Sequence, residues 1–339
     1  MTRPALSVIT VCMNRQQHLL ATARKIAAWP YHQEHLILDW SSRVPVERAQ
    51  LPPDPRIRLE RVDGEQRWNL CRAYNLATRL AQGQLLLKLD ADCWPDQFNP
   101  ELLTGLDAKV CRFGSGPDGR LGQFLMHRSA FEAVGGFNEV LLGYGFDDKD
   151  LKARLASQGF QLHDLPVDSI GVIAHSIHER VSRDHVAMNR RTSPYEESLS
   201  FAQRRATAMS NRVAAAYRAW SSQCSQTRYQ KLSEATWVAE SASVPNLQPT
   251  AAAELSRLRR QVFWSRFLEL PEIHVKALPV KLLPPDRAGS FHVYWWHRFY
   301  WHTFRRFLRL PIDLFLFCKS CSSSLFSLRN RVRSCLRKF

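Results

Sequence analysis

Leu85-Leu86-Leu87-Lys88-Leu89-Asp90-Ala91-Asp92-Cys93-Trp94 decides the fold of this 339-residue chain. A short, mostly apolar run that stops at two carboxylates, with Pro95-Asp96 behind them, reads as a buried strand of a parallel sheet. In open α/β sheets, ligands sit beyond the carboxyl ends of such strands. Asp90 and Asp92 are one residue apart with only Lys88 near them in the chain, and they repel each other unless a cation joins them. A hard divalent ion with oxygen ligands is the natural partner. Two solvated loop acids would give the same short pattern, so its surroundings matter.

Upstream, Leu6 to Cys12 is β-branched and apolar, a first buried strand. It ends at Met13-Asn14-Arg15, and Gln16 to Trp29 has helical character. A strand-to-helix junction offers free backbone N–H groups to an anion, and Arg15 adds a charged fork suited to a diphosphate; a surface role for Arg15 is the alternative. His35 to Ser42 is a second strand carrying Asp39, placed either to accept hydrogen bonds from a ribose or base or simply to form the turn. Ile57 to Val62 alternates apolar and charged residues as a third strand. Asn69 to Ala81 repeats Leu70, Ala73, Leu76 and Leu80 at helical spacing, with Gly83 ending it. The order from Leu6 to Asp92 predicts a doubly wound α/β unit. It has no G-x-G-x-x-G and no G-K-[ST], so neither a dinucleotide fold nor a P-loop is supported.

Downstream, residues 122–127 predict a strand and 128–134 a short helix stopped by Gly135-Gly136. A second acidic cluster follows, Leu142-Gly143-Tyr144-Gly145-Phe146-Asp147-Asp148-Lys149-Asp150. Acids in a first helical turn are favoured by the macrodipole, but three exceed what capping needs. The helix N-terminus is expected to keep such a carboxylate ionised. Phe160 to Asp164 and Ile170 to Ala174 predict short strands, the second running into His175-Ser176-Ile177-His178. Carboxylates with one imidazole and phosphate oxygens suit Mn²⁺ or Mg²⁺ better than zinc.

Charge divides the chain. Residues 1–200 hold 24 Lys/Arg and 24 Asp/Glu, while residues 201–339 hold 23 basic and 7 acidic, which accounts for the whole net charge of +16. The composition predicts a catalytic domain over 1–195 and a basic, aromatic-rich, mainly helical region over 196–339. Residues 200–270 read as helical and modestly amphipathic, with a polar break around Ser241 to Pro249. Residues 291–302 are dense in aromatics, and Arg305, Arg306 and Arg309 follow. Aromatic plus basic composition without a span reads as an interfacial segment facing anionic lipid, with a helical subdomain as the alternative. Nucleic acid is not expected, because the first 200 residues carry no such motif. Eight scattered cysteines indicate reduced usage. No signal peptide and no apolar stretch of spanning length are visible, so a cytoplasmic protein, peripheral on the inner membrane face, is expected.

Together these segments resemble the metal-dependent glycosyltransferases of the GT-A fold, in particular the family-2 enzymes and the β-1,4-galactosyltransferase and chondroitin-polymerase group. Asn14 to Leu19 resembles the galactosyltransferase segment whose Arg meets the donor phosphates. Arg72-Ala73-Tyr74-Asn75 followed by Leu85 to Asp92 resembles the family-2 run into the D-x-D. Gly135-Gly136-Phe137-Asn138 through Asp150 resembles the W-G-G-E-D-D-D block, with Tyr144 in place of Trp and Phe146 in place of a Gly. Val172 to Ser176 resembles M-I-R-H-S, with Val172 where a Met ligand would stand. The resemblance covers residues 5–190.

It implies an α/β GT-A (Rossmann-like) mixed sheet and inverting transfer from a nucleoside-diphosphate sugar, a UDP-sugar foremost, to a glycan or lipid-linked acceptor in polysaccharide biosynthesis. By the same resemblance Asp148 is the catalytic base and Asp147 a sugar-hydroxyl contact. Asp92 and His175 are the metal ligands. Arg15, Asp39, Arg72 and Asp90 bind the donor. A metal-dependent nucleotidyl or phosphoryl transferase, or a non-catalytic sugar-nucleotide or glycan binder, would use the same acids.

Overall fold

The computed structural model describes residues 5–116, 119–174, 194–253, 255, 256, 307, 310, 311, 314, 315 and 318. Strand β1 (Leu6–Cys12) is buried at every position, as is β2 (Glu34–Trp40). Burial on both faces is what continuous β-branched and apolar runs require. Helix α1 (Gln16–Ala28) connects them, and β3 (Ile57–Asp63), α2 (Leu70–Leu80) and β4 (Leu85–Lys88) follow. The chain continues through β5 (Cys93–Pro95), β6 (Val110–Phe113), β7 (Phe124–His127) and α3 (Arg128–Ala133). Then come α4 (Asp147–Ser157), β8 (Gln161–Asp164) and β9 (Ile170–Val172). Helix α5 (Pro194–Tyr217) precedes a hairpin of β10 (Tyr229–Lys231) and β11 (Thr236–Ala239).

The main sheet has nine strands among the described residues, in the order β10-β11-β3-β2-β1-β4-β7-β6-β8. Strands β11, β3, β2, β1 and β4 run parallel, β7 enters antiparallel to β4 and β6, and β8 returns parallel to β6. The mixed α/β class expected from the sequence holds, although the doubly wound parallel pattern stops at β4. After β1 the chain winds outward through β2 and β3, then crosses back to set β4 on the other side of β1. That reversal makes the carboxyl ends of β1 and β4 the switch point of the sheet, where a crevice forms. Asn14-Arg15 follow one of these strands and Asp90 to Asp92 the other.

Two details correct the sequence reading. Helix α2 ends at Ala81 in an extended conformation, not at Gly83. Gly83 serves a close approach instead: a Cβ there would stand 2.6 Å from the Ser7 nitrogen and 2.7 Å from the Ala5 oxygen. The other correction concerns residues 200–270, which are not helical throughout. The β10–β11 hairpin lies within them and adds two strands to the sheet beyond β3.

The chain divides into two units. Of the described residues, 5–174 and 218–247 form the first, and 194–217 with those from 248 onward belong to the second. The expected boundary at 195/196 therefore differs from the observed division, because residues 218–247 return to the first unit. Among the described residues no helix is long and apolar enough to cross a membrane.

Candidate functional site

The backbone of the two-acid segment is fastened almost atom by atom. Leu89 N–H donates to Ile9 O (3.0 Å), Cys93 N–H to Asp90 O (2.9 Å) and Ile173 N–H to Asp92 O (2.8 Å). The Tyr74 hydroxyl donates to Leu89 O (3.0 Å), and the Thr22 hydroxyl to Ala91 O (2.9 Å). Elements β1, α1, α2 and the β9 end thus all grip the turn that carries Asp90 and Asp92. Such over-determination holds side chains in one geometry before any ligand arrives.

Asp90 sits in a cradle. Its Oδ1 accepts from Lys88 Nζ (2.7 Å) and lies 2.9 Å from the Tyr74 hydroxyl, whose one proton is shared between it and Leu89 O, and its Oδ2 accepts from Gln123 Nε2 (2.8 Å). Its backbone N–H donates to Gln123 Oε1 at 2.9 Å. Lys88 is fully buried, donates also to Gly122 O (2.9 Å), and stands 4.4 Å from the centre of the Tyr74 ring. The sequence signalled this cluster through one residue only: a lysine in an otherwise apolar buried strand must find a partner. Tyr74 and Gln123 carried no such signal.

Asp147 and Asp148 open helix α4 behind Phe146, a residue with φ of 78° that offers no side-chain cap. Burial pushes the Asp147 carboxyl up to about 7, helped by Asp148 and more weakly by Asp90, with Lys88 and a backbone N–H opposing. This corrects the expectation that the helix N-terminus keeps the carboxylate ionised: desolvation and like charge outweigh the dipole. It also joins the two acidic clusters, since Asp147 lies within the field of Asp90 and Lys88. The third acid, Asp150, is structural. It takes Arg154 Nε and Nη2 at 2.9 and 2.8 Å, and Arg154 Nη1 ties α4 to Val134 O and Gly136 O at 2.6 and 2.7 Å.

Other expected site residues are placed differently. Asp39 is fully buried: it accepts from Ser42 N–H (3.0 Å) and Val46 N–H (3.1 Å) and pairs with Arg61. It anchors the turn after β2, where Ser42 Oγ accepts from Asn14 N–H at 3.0 Å and Asn14 Oδ1 from Arg43 N–H at 2.9 Å. Asp39 therefore shapes the wall beside Asn14 with no surface left for a ligand, the turn-forming alternative. Arg72 is likewise buried, paired with Glu65 and lying near the rings of Trp40 and Tyr229 at 5.7 and 5.9 Å. Arg15 is half-buried at the head of α1, its carbonyl accepting from Leu19 N–H (3.0 Å). His175 lies outside the described residues.

Among the described residues no three His, Cys, Asp or Glu side chains form a metal cage. The donors present at the switch point are carboxylate oxygens, which match a hard divalent ion. Such ions keep several waters and substrate phosphates and need only one or two protein carboxylates. Asp92 is half-buried, and the pairing of β5 with β9 sets Cys93 opposite Val172, bringing the segment that leads to His175 alongside. The residues fit such an ion. A separate cavity of about 280 Å³, lined by Asn75, Arg79, Gly136, Cys224 and Gln226 among others, includes none of these acids.

Comparison with known proteins matches two family models over parts of the chain. Residues 7–132 match the model for glycosyl transferase family 2, and residues 118–179 match the model described as the N-terminal domain of galactosyltransferase. No curated protein matches the sequence. Among solved structures the chain is similar to GalNAc-T7 with UDP, GalNAc and Mn²⁺ (16% identity, TM-score 0.42), covering 61% of this chain and 52% of that one. The chain thus spans about half the length of that relative. It is also similar to the mannosyltransferase PcManGT from Pyrobaculum calidifontis with GDP-Man and Mn²⁺ (15%, TM-score 0.46, 78% and 72% covered). A third is the catalytic domain of Drosophila β1,4-galactosyltransferase 7 with xylobiose (15%, TM-score 0.40, 70% and 92% covered). The two matches together run over residues 7–179 and mark that part of the chain as a glycosyltransferase domain, similar over 7–132 to family 2 and over 118–179 to galactosyltransferases.

Proposed function

We propose that this glycosyltransferase domain moves a sugar, with inversion, from a nucleoside-diphosphate sugar, a UDP-sugar foremost, to a hydroxyl of a glycan or lipid-linked acceptor. What supports the reading is that Asp90 to Asp92 follow β4 at the switch point of the sheet, with Asp147 at the head of α4 within electrostatic reach of Asp90 and Lys88. Asp92 and His175 would hold Mn²⁺ or Mg²⁺, which supplies Lewis-acid stabilisation of the leaving diphosphate. Arg15 and the backbone N–H groups heading α1 bind the phosphates. Asp90, held on one side by Lys88, Tyr74 and Gln123, accepts a hydrogen bond from the ribose. An acceptor hydroxyl is a poor nucleophile, so Asp148 takes its proton as it attacks the anomeric carbon. Asp147 orients sugar hydroxyls beside it.

The test is a panel of nucleoside-diphosphate sugars scored for nucleotide release with and without Mn²⁺. Metal-dependent release of UDP from one donor supports the reading; release of pyrophosphate or nucleotide transfer overturns it. Asp148→Asn should abolish transfer while donor affinity stays within a few-fold. Equal loss of both would make Asp148 a donor-binding or structural residue.

The basic region is proposed to contact an anionic membrane surface. Phe307, Leu310, Leu314 and Phe315 are helical, exposed, and spaced to share one helix face. Residues 298–338 around them hold ten Lys/Arg and one Asp, the charge that anionic lipid attracts. Full-length protein should float with anionic vesicles and not with neutral ones, and Leu314→Asp with Phe315→Asp should abolish flotation. Sedimentation of the wild type away from anionic vesicles overturns this.

A further inference from the structure

We infer that the cavity lined by α2, α3 and residues 222–226 is a binding site for a neutral sugar residue, separate from the crevice that carries the acids. The site stands on the cavity's own geometry, while its ligand class rests on the glycan acceptor proposed above.

The cavity holds about 280 Å³, near the lower end of small-ligand pockets. Its floor is made by Asn75 and Thr78 of α2 and by Phe131 of α3, all buried. Two glycines let its wall close. Gly135 and Gly136 have φ of 73° and 66°. A Cβ on the first would stand 2.2 Å from Ser221 O, and on the second 2.5 Å from Asn75 Oδ1. The segment that completes the mouth is fastened at both ends: Trp220 Nε1 donates to Gly135 O at 2.8 Å, and Thr227 N–H to Glu139 Oε2 at 2.8 Å. Gln226 Nε2 adds a bond to Gly135 O at 3.0 Å. The mouth is thus set before a ligand arrives, which lowers the cost of binding.

Thr78 asks for a ligand. It lines the cavity, is 2% exposed, and its Oγ1 has no hydrogen-bond partner among the described residues. A helical threonine ordinarily bonds back to a carbonyl three or four residues earlier, as Thr22 does to Leu19 O and His18 O, both at 3.1 Å. A buried hydroxyl outside that pattern is costly, and a polar ligand in the cavity supplies its partner.

The rim says which kind of ligand. Arg79 and Glu132 line the cavity, both are exposed, and neither forms an ion pair among the described residues. Their charges cancel, so the rim does not select a phosphate or a carboxylate. Arg79 gives Thr227 O one hydrogen bond, from Nη2 at 2.9 Å, and a guanidinium has five donors. With the Glu132 carboxylate, the Gln226 amide and the Thr78 hydroxyl, the lining offers donors and acceptors together beside an aromatic ring. A sugar, whose hydroxyls both donate and accept and whose C–H face is apolar, complements that set. Tyr74, one residue before Asn75, reaches Asp90 at 2.9 Å from the same helix. A glycan anchored in the cavity is therefore kept at raised local concentration beside the crevice.

The experiment reads occupancy at Cys224, a half-buried thiol of the lining. Full-length protein, in chelator and without donor, is alkylated with iodoacetamide in the presence of glucose, galactose, xylose, N-acetylglucosamine or inorganic phosphate at millimolar concentrations. Modification of each cysteine is followed by peptide mass spectrometry, with exposed Cys318 as the internal control. At least one sugar should slow Cys224 alkylation and leave Cys318 unchanged. Thr78→Val, which removes only the unpartnered hydroxyl, should melt no lower than wild type and should weaken the protection about fivefold to tenfold. Asp148→Asn should protect as wild type does. Should Thr78→Val fold poorly, the exposed substitution Glu132→Gln decides by the same weakening.

Protection by no sugar, or by phosphate in place of sugars, overturns the inference. Full protection in both Thr78→Val and Glu132→Gln places the sugar elsewhere and overturns it, as does protection that disappears in Asp148→Asn. Because neither donor nor metal is present, these outcomes are independent of the nucleotide-release test. A protein that releases no nucleotide yet shows Thr78-dependent protection loses the transfer reaction and keeps the sugar site.

Discussion

Asp147→Asn should make the protein more stable, increasingly so as the pH rises, while removing activity. The folded-state carboxyl is pushed up from 3.8 to about 7 by burial and by Asp148. A group whose folded pKa lies above its unfolded value adds stability at low pH and loses it as pH rises through the folded pKa. The wild type therefore forfeits stability from about pH 4 to 7, and the asparagine variant has nothing to titrate there. Between pH 5 and 7 the linkage amounts to two pH units at about 1.36 kcal/mol each, or about 2.7 kcal/mol. Asp147 is half-buried, and solvent screening reduces that to about half, near 1.4 kcal/mol. For a unit of this size the melting-temperature gap should widen by about 3–5 °C.

The assay is thermal unfolding of both proteins in chelator across pH 5 to 8. The gap should grow to about pH 7 and then level. Adding Mn²⁺ at pH 8 should narrow it, because a cation among the acids relieves the repulsion that the substitution removes. A gap that is constant with pH, or a variant less stable at pH 8, would refute the reasoning: Asp147 would then ionise in the fold without cost, and the two acidic clusters would not share a field. A gain in stability bought with activity is what strained functional carboxylates show.

Three further outcomes follow from the same contacts. His32 and His35 are held neutral, at about 4 and about 3, chiefly by burial; their contribution is complete above pH 6.5 and lost as pH falls through those values, so unfolding should steepen with acid. His32→Phe, which keeps the stack on Trp29 at 5.8 Å, should remove about one proton from that slope; an unchanged slope would show His32 already charged in the fold. Glu139→Gln should cost about 2 kcal/mol in urea unfolding, since buried Glu139 accepts from Asn75 Nδ2, Thr227 N–H and the Thr227 hydroxyl at 2.9, 2.8 and 2.6 Å. Stability within 0.5 kcal/mol of wild type would contradict that role. Gly171→Ala would set a methyl 2.1 Å from the Trp94 ring, displacing β9 from β5, and should weaken Mn²⁺ binding together with about 1–3 kcal/mol of stability; a variant with wild-type metal affinity would separate that ladder from the site.

The half of the sheet that builds the crevice was legible because its signals are long. Strands β1 and β2 are seven-residue runs buried throughout, and α2 repeats its apolar residues at helical spacing, so period and length agree. The β10–β11 hairpin was not legible. Tyr229-Gln230-Lys231 and Thr236 to Ala239 are three and four residues long, too short for a period to show, and their place beside β3 is fixed by pairing across more than 170 positions of chain.

At the site, the chain order identified which acids stand at strand ends but not which were already committed. Asp39 has the position of a ribose acceptor, yet the parallel register of β2 and β3 sets Arg61 directly beside it, and two turn N–H groups take what remains. Arg61 belongs to an alternating strand, and nothing in that alternation names its partner before the register is known. The same limit explains Asp147. A helix start contributes about 0.3–1 kcal/mol toward an ionised acid, and that was visible locally. The opposing burial, with the fields of Asp148 and of Asp90 fifty-seven positions earlier in the chain, exceeds it. Local rules predict a carboxylate's state only while its largest perturbation is local, and at a crevice assembled from two strand ends and a distant helix it is not.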